Sequence, residues 1–361
     1  MNETLLGKTL ADIQALVLRL GGSREAGTAV FRSVYREGIQ NVDAFDCLPA
    51  AVRARLAEST RIVDATIEQI KPSNDGSAKF LIRLRDGRRV ESVFLPFGER
   101  RTICVSSQVG CVLDCAFCAT GTMAFERNLT VAEILAQVAL VRNWSGQSNA
   151  LASTSTRQNH AVTNVVFMGM GEPFHNYDKV LAAARLLCDP RGLALAPRRV
   201  TISTAGVLPR IAQYCEADHP YKLAISLTTA DPEKRSRLMP INDRYPLQQL
   251  RALLESLPRR VVSRVMFEVP LLGGVNDGPE DAELLLAFCR GLPVRVNLIP
   301  WNFASVASPF TSPSPESVSA FQNILRSGGL PVFIRRNMGR DVQGACGQLA
   351  ILISTARRLQ R

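Results

Sequence analysis

At 361 residues the chain can bury one sizeable core and still carry a small accessory domain. Charged residues at 21% and apolar residues at 46% are ordinary for a water-soluble protein, and no apolar run approaches the roughly 20 residues of a membrane-spanning helix. A formal net charge of +11 points to an anionic partner, most simply nucleic acid, against the plainer reading of a generally basic protein.

Residues 1–60 read as a small helical domain. Apolar positions recur at helical spacing in LADIQALVLRLG, and the Gly21–Gly22 pair is a stop signal. Further helices are expected over REAGTAVFRSVYREG and PAAVRARLAEST. The outer faces carry Arg24, Arg32, Arg36, Arg53 and Arg55, a candidate RNA-contacting surface or simply a solvated one. The N-terminus has no basic stretch followed by an apolar core, so a cytoplasmic protein is expected.

Across residues 61–98 the period changes to two. RIVDATIEQI, AKFLIRLR and RVESVFLP alternate like strands, and Ser73-Asn74-Asp75-Gly76 and Asp86-Gly87 are turn clusters between them, so a β-meander is expected. Residues 99–361 then alternate strand and helix. RTICVSS, AVTNVVFMG, RRVTISTAG, YKLAISL, VVSRVMFEVP and VRVNLIP make six strands, PVFIRRN adds a late extended segment, and VAEILAQVALVRNW is a helix. The polar run from Ser145 to His160 reads as a flexible insertion. Repeated βα units imply an α/β fold with a parallel sheet, and six of them suit a partial (βα)6 barrel. Chemistry in such barrels gathers at the C-terminal strand ends. Gly171, Glu172, Ser203, Ser226, Leu227, Thr228 and Asn302 all fall there.

The chemically pointed stretch is CVSSQVGCVLDCAFC. Cys111, Cys115 and Cys118 are spaced C-x3-C-x2-C, with Cys104 seven residues upstream. Three thiolates on one loop suit a [4Fe–4S] cluster with one iron left open. A zinc site with Cys104 as fourth ligand is the alternative, although structural zinc usually draws on two separated Cys pairs. Nine cysteines, an odd number without a repeating framework, favour metal or catalytic thiols in a reducing compartment. Cys47, Cys188, Cys215 and Cys289 sit in apolar contexts and read as packing residues.

C-x3-C-x2-C is the signature of radical S-adenosylmethionine (SAM) enzymes. The longer run TICVSSQVGCVLDCAFCATGTMAFERNLT, with MGMGEP, RLMPIN, NLIPWN and ACGQL in order behind it, resembles the RlmN/Cfr family of RNA adenine methyltransferases from about residue 90 onward. The resemblance implies a radical SAM barrel, one [4Fe–4S] cluster on Cys111, Cys115 and Cys118, and SAM as cofactor. It implies that Gly171 and Glu172 bind the amino-acid end of SAM, with Ser203, Ser226, Leu227, Thr228 and Asn302 completing the pocket. Cys346 is similar to a cysteine that first accepts a methyl group, Cys104 to the thiol that closes a disulfide with it, and Glu91 to a proton acceptor for the substrate carbon. The implied activity is methylation of C2 of an adenosine in 23S rRNA, and in tRNA, through two SAM molecules. C8 methylation of the Cfr kind is the near rival, a divergent paralogue acting on another RNA is a further one, and a noncatalytic iron–sulfur or zinc RNA-binding protein is the rival from another class. A flavodoxin or ferredoxin would donate electrons, and a monomer is the default. This chain departs from the family pattern at Thr228, where His is common, at Met338 and Gly344, where Arg and Ala are usual, and at Ala124, where Gly is usual.

Overall fold

The computed structural model describes residues 3–150, 162–302, 309–335, 338–339, 341–344 and 347–349. Cys346 lies outside the described residues.

The N-terminal helices form where the apolar spacing puts them. α1 spans Leu10–Arg19 and α2 Arg24–Arg32. Thr9 and Asp12 close a capping box at the start of α1, and Ser23 caps α2. α3 covers Ala50–Ser59. Ile13, Val17, Val30, Phe31 and Leu56 are fully buried between the helices. A short parallel pairing of Glu3–Thr4 with Thr60–Arg61, not legible in the sequence, ties the two ends of this unit together. Cys47 is exposed, not packed, because it falls in the turn just before α3.

Ten strands form one continuous sheet among the described residues. The meander supplies β1 (Ala65–Pro72), β2 (Ala78–Leu84) and β3 (Arg89–Phe97), each antiparallel to the next. β4 (Arg100–Cys104) pairs antiparallel with β3 on one edge and parallel with β5 (Asn164–Phe167) on the other. The sheet continues in parallel through β6 (Val200–Thr204), β7 (Lys222–Ser226), β8 (Val265–Leu271), β9 (Arg295–Pro300) and β10 (Val332–Ile334). The six expected barrel strands are β4 to β9, and the late extended segment is a seventh parallel strand.

α4 (Val131–Ala150) follows the cysteine loop. The polar run expected to leave the fold at Ser145 instead stays helical to Ala150, and residues 151–161 lie outside the described residues. Extending a helix already nucleated costs little, and the buried Ser145 hydroxyl donates back to the Arg142 carbonyl at 2.8 Å. Trp144 on α4 packs edge-on against Phe80 and Phe94, with ring centroids 5.0 and 6.0 Å away. This covers the outer face of the meander.

Direct cross-strand partners share a face, so the register fixes what the other, concave face carries. Lys79 pairs with Val93, Val93 with Cys104, and Cys104 with Val166. Further along, Ser226 pairs with Glu268 and Glu268 with Asn297. The meander and the barrel therefore present one uninterrupted inner surface.

α4 is also fastened to the sheet from below the site. The fully buried Gln137 accepts from the Ser106 N–H at 2.8 Å and donates to the Ser106 carbonyl at 2.9 Å. Each of those backbone groups, orphaned in the interior, costs about 1–3 kcal/mol. Gln137→Leu is therefore expected to lower stability by at least about 2 kcal/mol, read as a fall in the denaturant midpoint at unchanged m-value.

Candidate active site

The cysteine loop begins where β4 ends. It is held by backbone contacts on several sides: Ala116 N–H donates to the Leu238 carbonyl at 3.0 Å, Ala119 N–H to Gly347 at 2.6 Å, and Trp301 Nε1 to the Phe117 carbonyl at 3.4 Å. Gly110 sits at φ +76, and a Cβ there would lie 2.0 Å from the Ala124 carbonyl oxygen, so the loop entrance closes only around glycine. Cys111, Cys115 and Cys118 all line one cavity whose empty volume, open mouth included, is ≈ 1120 Å³. Burial pushes the Cys111 thiol up to about 11 and the Cys115 thiol higher still, and the neighbouring thiols add to both shifts. Thiols in such surroundings keep their protons until a metal takes their place. Among the described residues no three His, Cys, Asp or Glu side chains are placed to hold a metal ion. What the loop offers is three thiols around one cavity, a donor set that suits an iron–sulfur cluster.

The same cavity is lined by the turn after β5. Gly171 takes φ +94, and a Cβ there would meet the Gln108 side chain at 2.4 Å. The Glu172 N–H donates to Gln108 Oε1 at 2.7 Å. Its carboxylate is buried and points into the fold, accepting from Phe174 N–H at 2.9 Å and Ala205 N–H at 2.8 Å. Burial still pushes Glu172 up to about 7, against those hydrogen bonds. Gly171, Glu172, Ser203, Ser226 and Asn302 line the cavity together.

Leu227 and Thr228 do not line it. Both are fully buried behind the wall. Thr228 has φ +66, strained for a β-branched residue. It is held there by Asn276, which donates to its carbonyl at 2.8 Å, and by its own hydroxyl on the Met239 sulfur at 3.0 Å.

Sequence reasoning missed Arg235. It is 1% exposed and donates to the carbonyls of Ala205, Ser226 and Leu227 at 3.0, 3.2 and 3.0 Å and to Asn242 at 3.1 Å. One guanidinium thus staples the ends of β6 and β7 beneath the cavity, and burial lowers it to about 10. Glu268 and Arg335, also on the cavity wall, were missed as well. A charged residue inside an apolar strand pattern was the available signal for Glu268.

Glu91 and Cys104 lie outside the cavity wall, on the same inner face, in neighbouring strands and buried. Glu91 is bound to the site through its backbone: its carbonyl accepts from Ser106 Oγ at 2.6 Å, and its N–H points at the Met170 sulfur at 3.3 Å. Described residues of the C-terminal segment reach the meander. Asp341 accepts from Ser73 and Asn74 in the first meander turn at 2.5 and 3.1 Å, and Gly339 N–H donates to Asp75 at 2.7 Å. A Cβ on Gly344 would touch Val93 at 3.4 Å, ordinary contact, so the family's usual Ala fits there. Beyond Cys346, the Leu349 carbonyl accepts from Thr120 Oγ1 at 2.8 Å and Gln348 donates to Asn302 at 3.0 Å. The residues on either side of Cys346 are thus anchored to the meander and to the cysteine loop.

These strands and this thiol-lined mouth define a radical SAM enzyme, and residues 105–286 match the model of the radical SAM superfamily. A dual-specificity RNA methyltransferase RlmN of Anaeromyxobacter sp. (strain Fw109-5) is 43% identical over 346 residues, covering 94% of this chain and 89% of its own. That of Rhodospirillum rubrum is 39% identical over 346 residues, covering 96% of this chain and 79% of its own. A crystal structure of a radical SAM methyltransferase from Sphaerobacter thermophilus superposes with a TM-score of 0.87 at 38% identity, covering 96% of this chain and 99% of the other. The chain belongs to the RlmN family of radical SAM RNA methyltransferases.

Beside Glu91 the inner face holds one cation. Lys79 is fully buried, with Nζ 3.5 Å from Glu91 Oε1, and burial lowers its pKa against the pull of that carboxylate. Breaking a buried pair from one side typically costs about 3–5 kcal/mol. Lys79→Met is expected to destabilise the protein by about that amount, and Lys79→Met/Glu91→Gln to recover part of it, in a double-mutant cycle of chemical denaturation.

Proposed function

We propose that this chain methylates C2 of adenosine in 23S rRNA and in tRNA, as a cytoplasmic radical SAM enzyme with a cysteine methyl carrier. The observation that carries this reading is the anchoring of the segment around Cys346. Gly347 lies against the cysteine loop, Gly339 is hydrogen-bonded to Asp75 in the first meander turn, and Gly344 lies near Val93 on the face that bears Glu91 and Cys104. A binding module has no use for that convergence.

In this reading Cys111, Cys115 and Cys118 hold a [4Fe–4S] cluster. SAM would sit beside it, its amino-acid end at Gly171–Glu172 and the rest along Ser203, Ser226 and Asn302. Leu227 and Thr228 support the pocket from behind. Bound there, cluster and SAM supply a methyl group and a hydrogen-abstracting radical. The chain's own groups do the rest. The Cys346 thiolate receives the methyl. Glu91 takes the proton released from the adenosine carbon, with Lys79 Nζ 3.5 Å from its Oε1. The Cys104 thiolate then attacks the Cys346 sulfur; the S–S bond forms as the bond from that sulfur to the substrate methylene breaks, and the methylene carbon takes the electron pair and a proton as the product leaves. Residues 1–60 serve as an accessory RNA-binding unit, 61–98 as the meander extension and 99–361 as the barrel with its catalytic C-terminal segment. A flavodoxin or ferredoxin supplies the electrons, and the chain works as a monomer.

Incubating reconstituted protein with SAM, a reductant and unmodified ribosomal RNA or tRNA, then separating the digested nucleosides by mass spectrometry, tests the reaction. 2-Methyladenosine is expected. 8-Methyladenosine would place the chain in the Cfr branch, and neither product would refute the substrate. Cys346→Ala should abolish RNA methylation while SAM cleavage continues, and methylation retained in that variant would sink the carrier mechanism.

A further inference from the structure

Within the cavity one buried acceptor has no donor. Glu268, in the middle of β8, is 4% exposed and lines the cavity. Its Oε2 accepts from Asn297 Nδ2 at 2.8 Å, and its Oε1 has no hydrogen-bond partner among the described residues. Interior acceptors are almost always satisfied, so an exception on a cavity wall calls for a donor from whatever fills that cavity. The surroundings restrict what can arrive. Ser226, level with Glu268 on the adjacent strand, and Ser203 on the next also line the cavity. Met168, Pro270 and Ile299 provide apolar walls, and Arg335 completes the rim. Apolar walls suit a flat base, and a lone acceptor beside two hydroxyls suits the hydroxyl- and amino-bearing edge of a nucleoside.

We propose that Glu268 Oε1 is the recognition point for one hydroxyl or amino donor of an adenosine moiety bound in the cavity. The ligand class rests on the proposed function, which brings two adenosines to this site, one in SAM and one in the RNA; the acceptor itself rests on geometry alone. Glu268 is a binding residue in this assignment and takes no part in bond making. Asn297 fixes which oxygen faces the ligand, because its amide donates to the other.

That pairing supplies the test. In Glu268→Gln the amide of Asn297 holds the new carbonyl, which turns the new NH2 toward the ligand and sets donor against donor. In Glu268→Gln/Asn297→Asp the new carboxylate accepts that NH2 and the carbonyl faces the ligand again, with net charge as in the single variant lowered by one. Binding is measured on full-length, cluster-reconstituted protein, by calorimetry with SAM and with 5′-deoxyadenosine, and by filter binding with an RNA fragment carrying the target adenosine or lacking that base. Circular dichroism checks that each variant is folded. Glu268→Gln is expected to weaken an adenosine ligand at least about tenfold, and the double variant to recover most of that loss. A loss for SAM and 5′-deoxyadenosine assigns the donor to the cofactor. A loss confined to the RNA carrying the base assigns it to the substrate. Unchanged affinity for all of them overturns the inference and leaves the proposed function standing. Wild-type protein that binds no adenosine ligand overturns both.

Discussion

Ser106 is the point on which the site depends. Its backbone N–H and carbonyl are clamped by Gln137 of α4, its hydroxyl donates to the Glu91 carbonyl, and the same hydroxyl accepts from the Met170 N–H. One residue therefore joins a helix, the meander and the glycine-rich turn after β5, five positions before the first cysteine of the loop. The fit leaves no spare room: a Cβ on Gly169 would lie 2.7 Å from the Ser106 backbone nitrogen and hydroxyl. The thiol loop and the turn bearing Glu172 both hang from this junction.

The electrostatics follow from the same inner face. A parallel barrel interior is usually apolar, yet this fold buries Glu172, Arg235 and Glu268 around the barrel and Lys79 and Glu91 in the adjoining meander. Each is matched by a specific partner or aimed at the cavity, as a low-dielectric interior demands. Arg235 is satisfied by carbonyls and an amide oxygen, so its charge serves as a staple. Lys79 and Glu91 balance each other.

Much of this was legible in the sequence for physical reasons. Strand alternation, Asp-Gly and Asn-Asp-Gly turns and βα repetition are local signals, and the ten strands stand where they led. The cysteine spacing is equally local. What was not legible depends on tertiary burial. Nothing around Arg235 distinguishes a staple from a solvated helix charge, and Glu268 reads as one polar residue in an apolar run. Leu227 and Thr228 adjoin Ser226 in the chain, but the strained turn at Thr228 carries them behind the wall. Ser145 looked like the start of a loop because its stabilising contact, a hydroxyl on the preceding turn, appears only once the helix exists.

The anchoring of the C-terminal segment sets an order in time. Ser73 and Asn74 meet Asp341 across 268 and 267 residues of sequence, and Thr120 meets Leu349 across 229. A ribosome making this chain therefore releases the meander and the cysteine loop long before the residues that bond to them. Until residues 341–349 have been made, these contacts cannot form, and the nascent cysteine loop stays more open than it is in the folded protein.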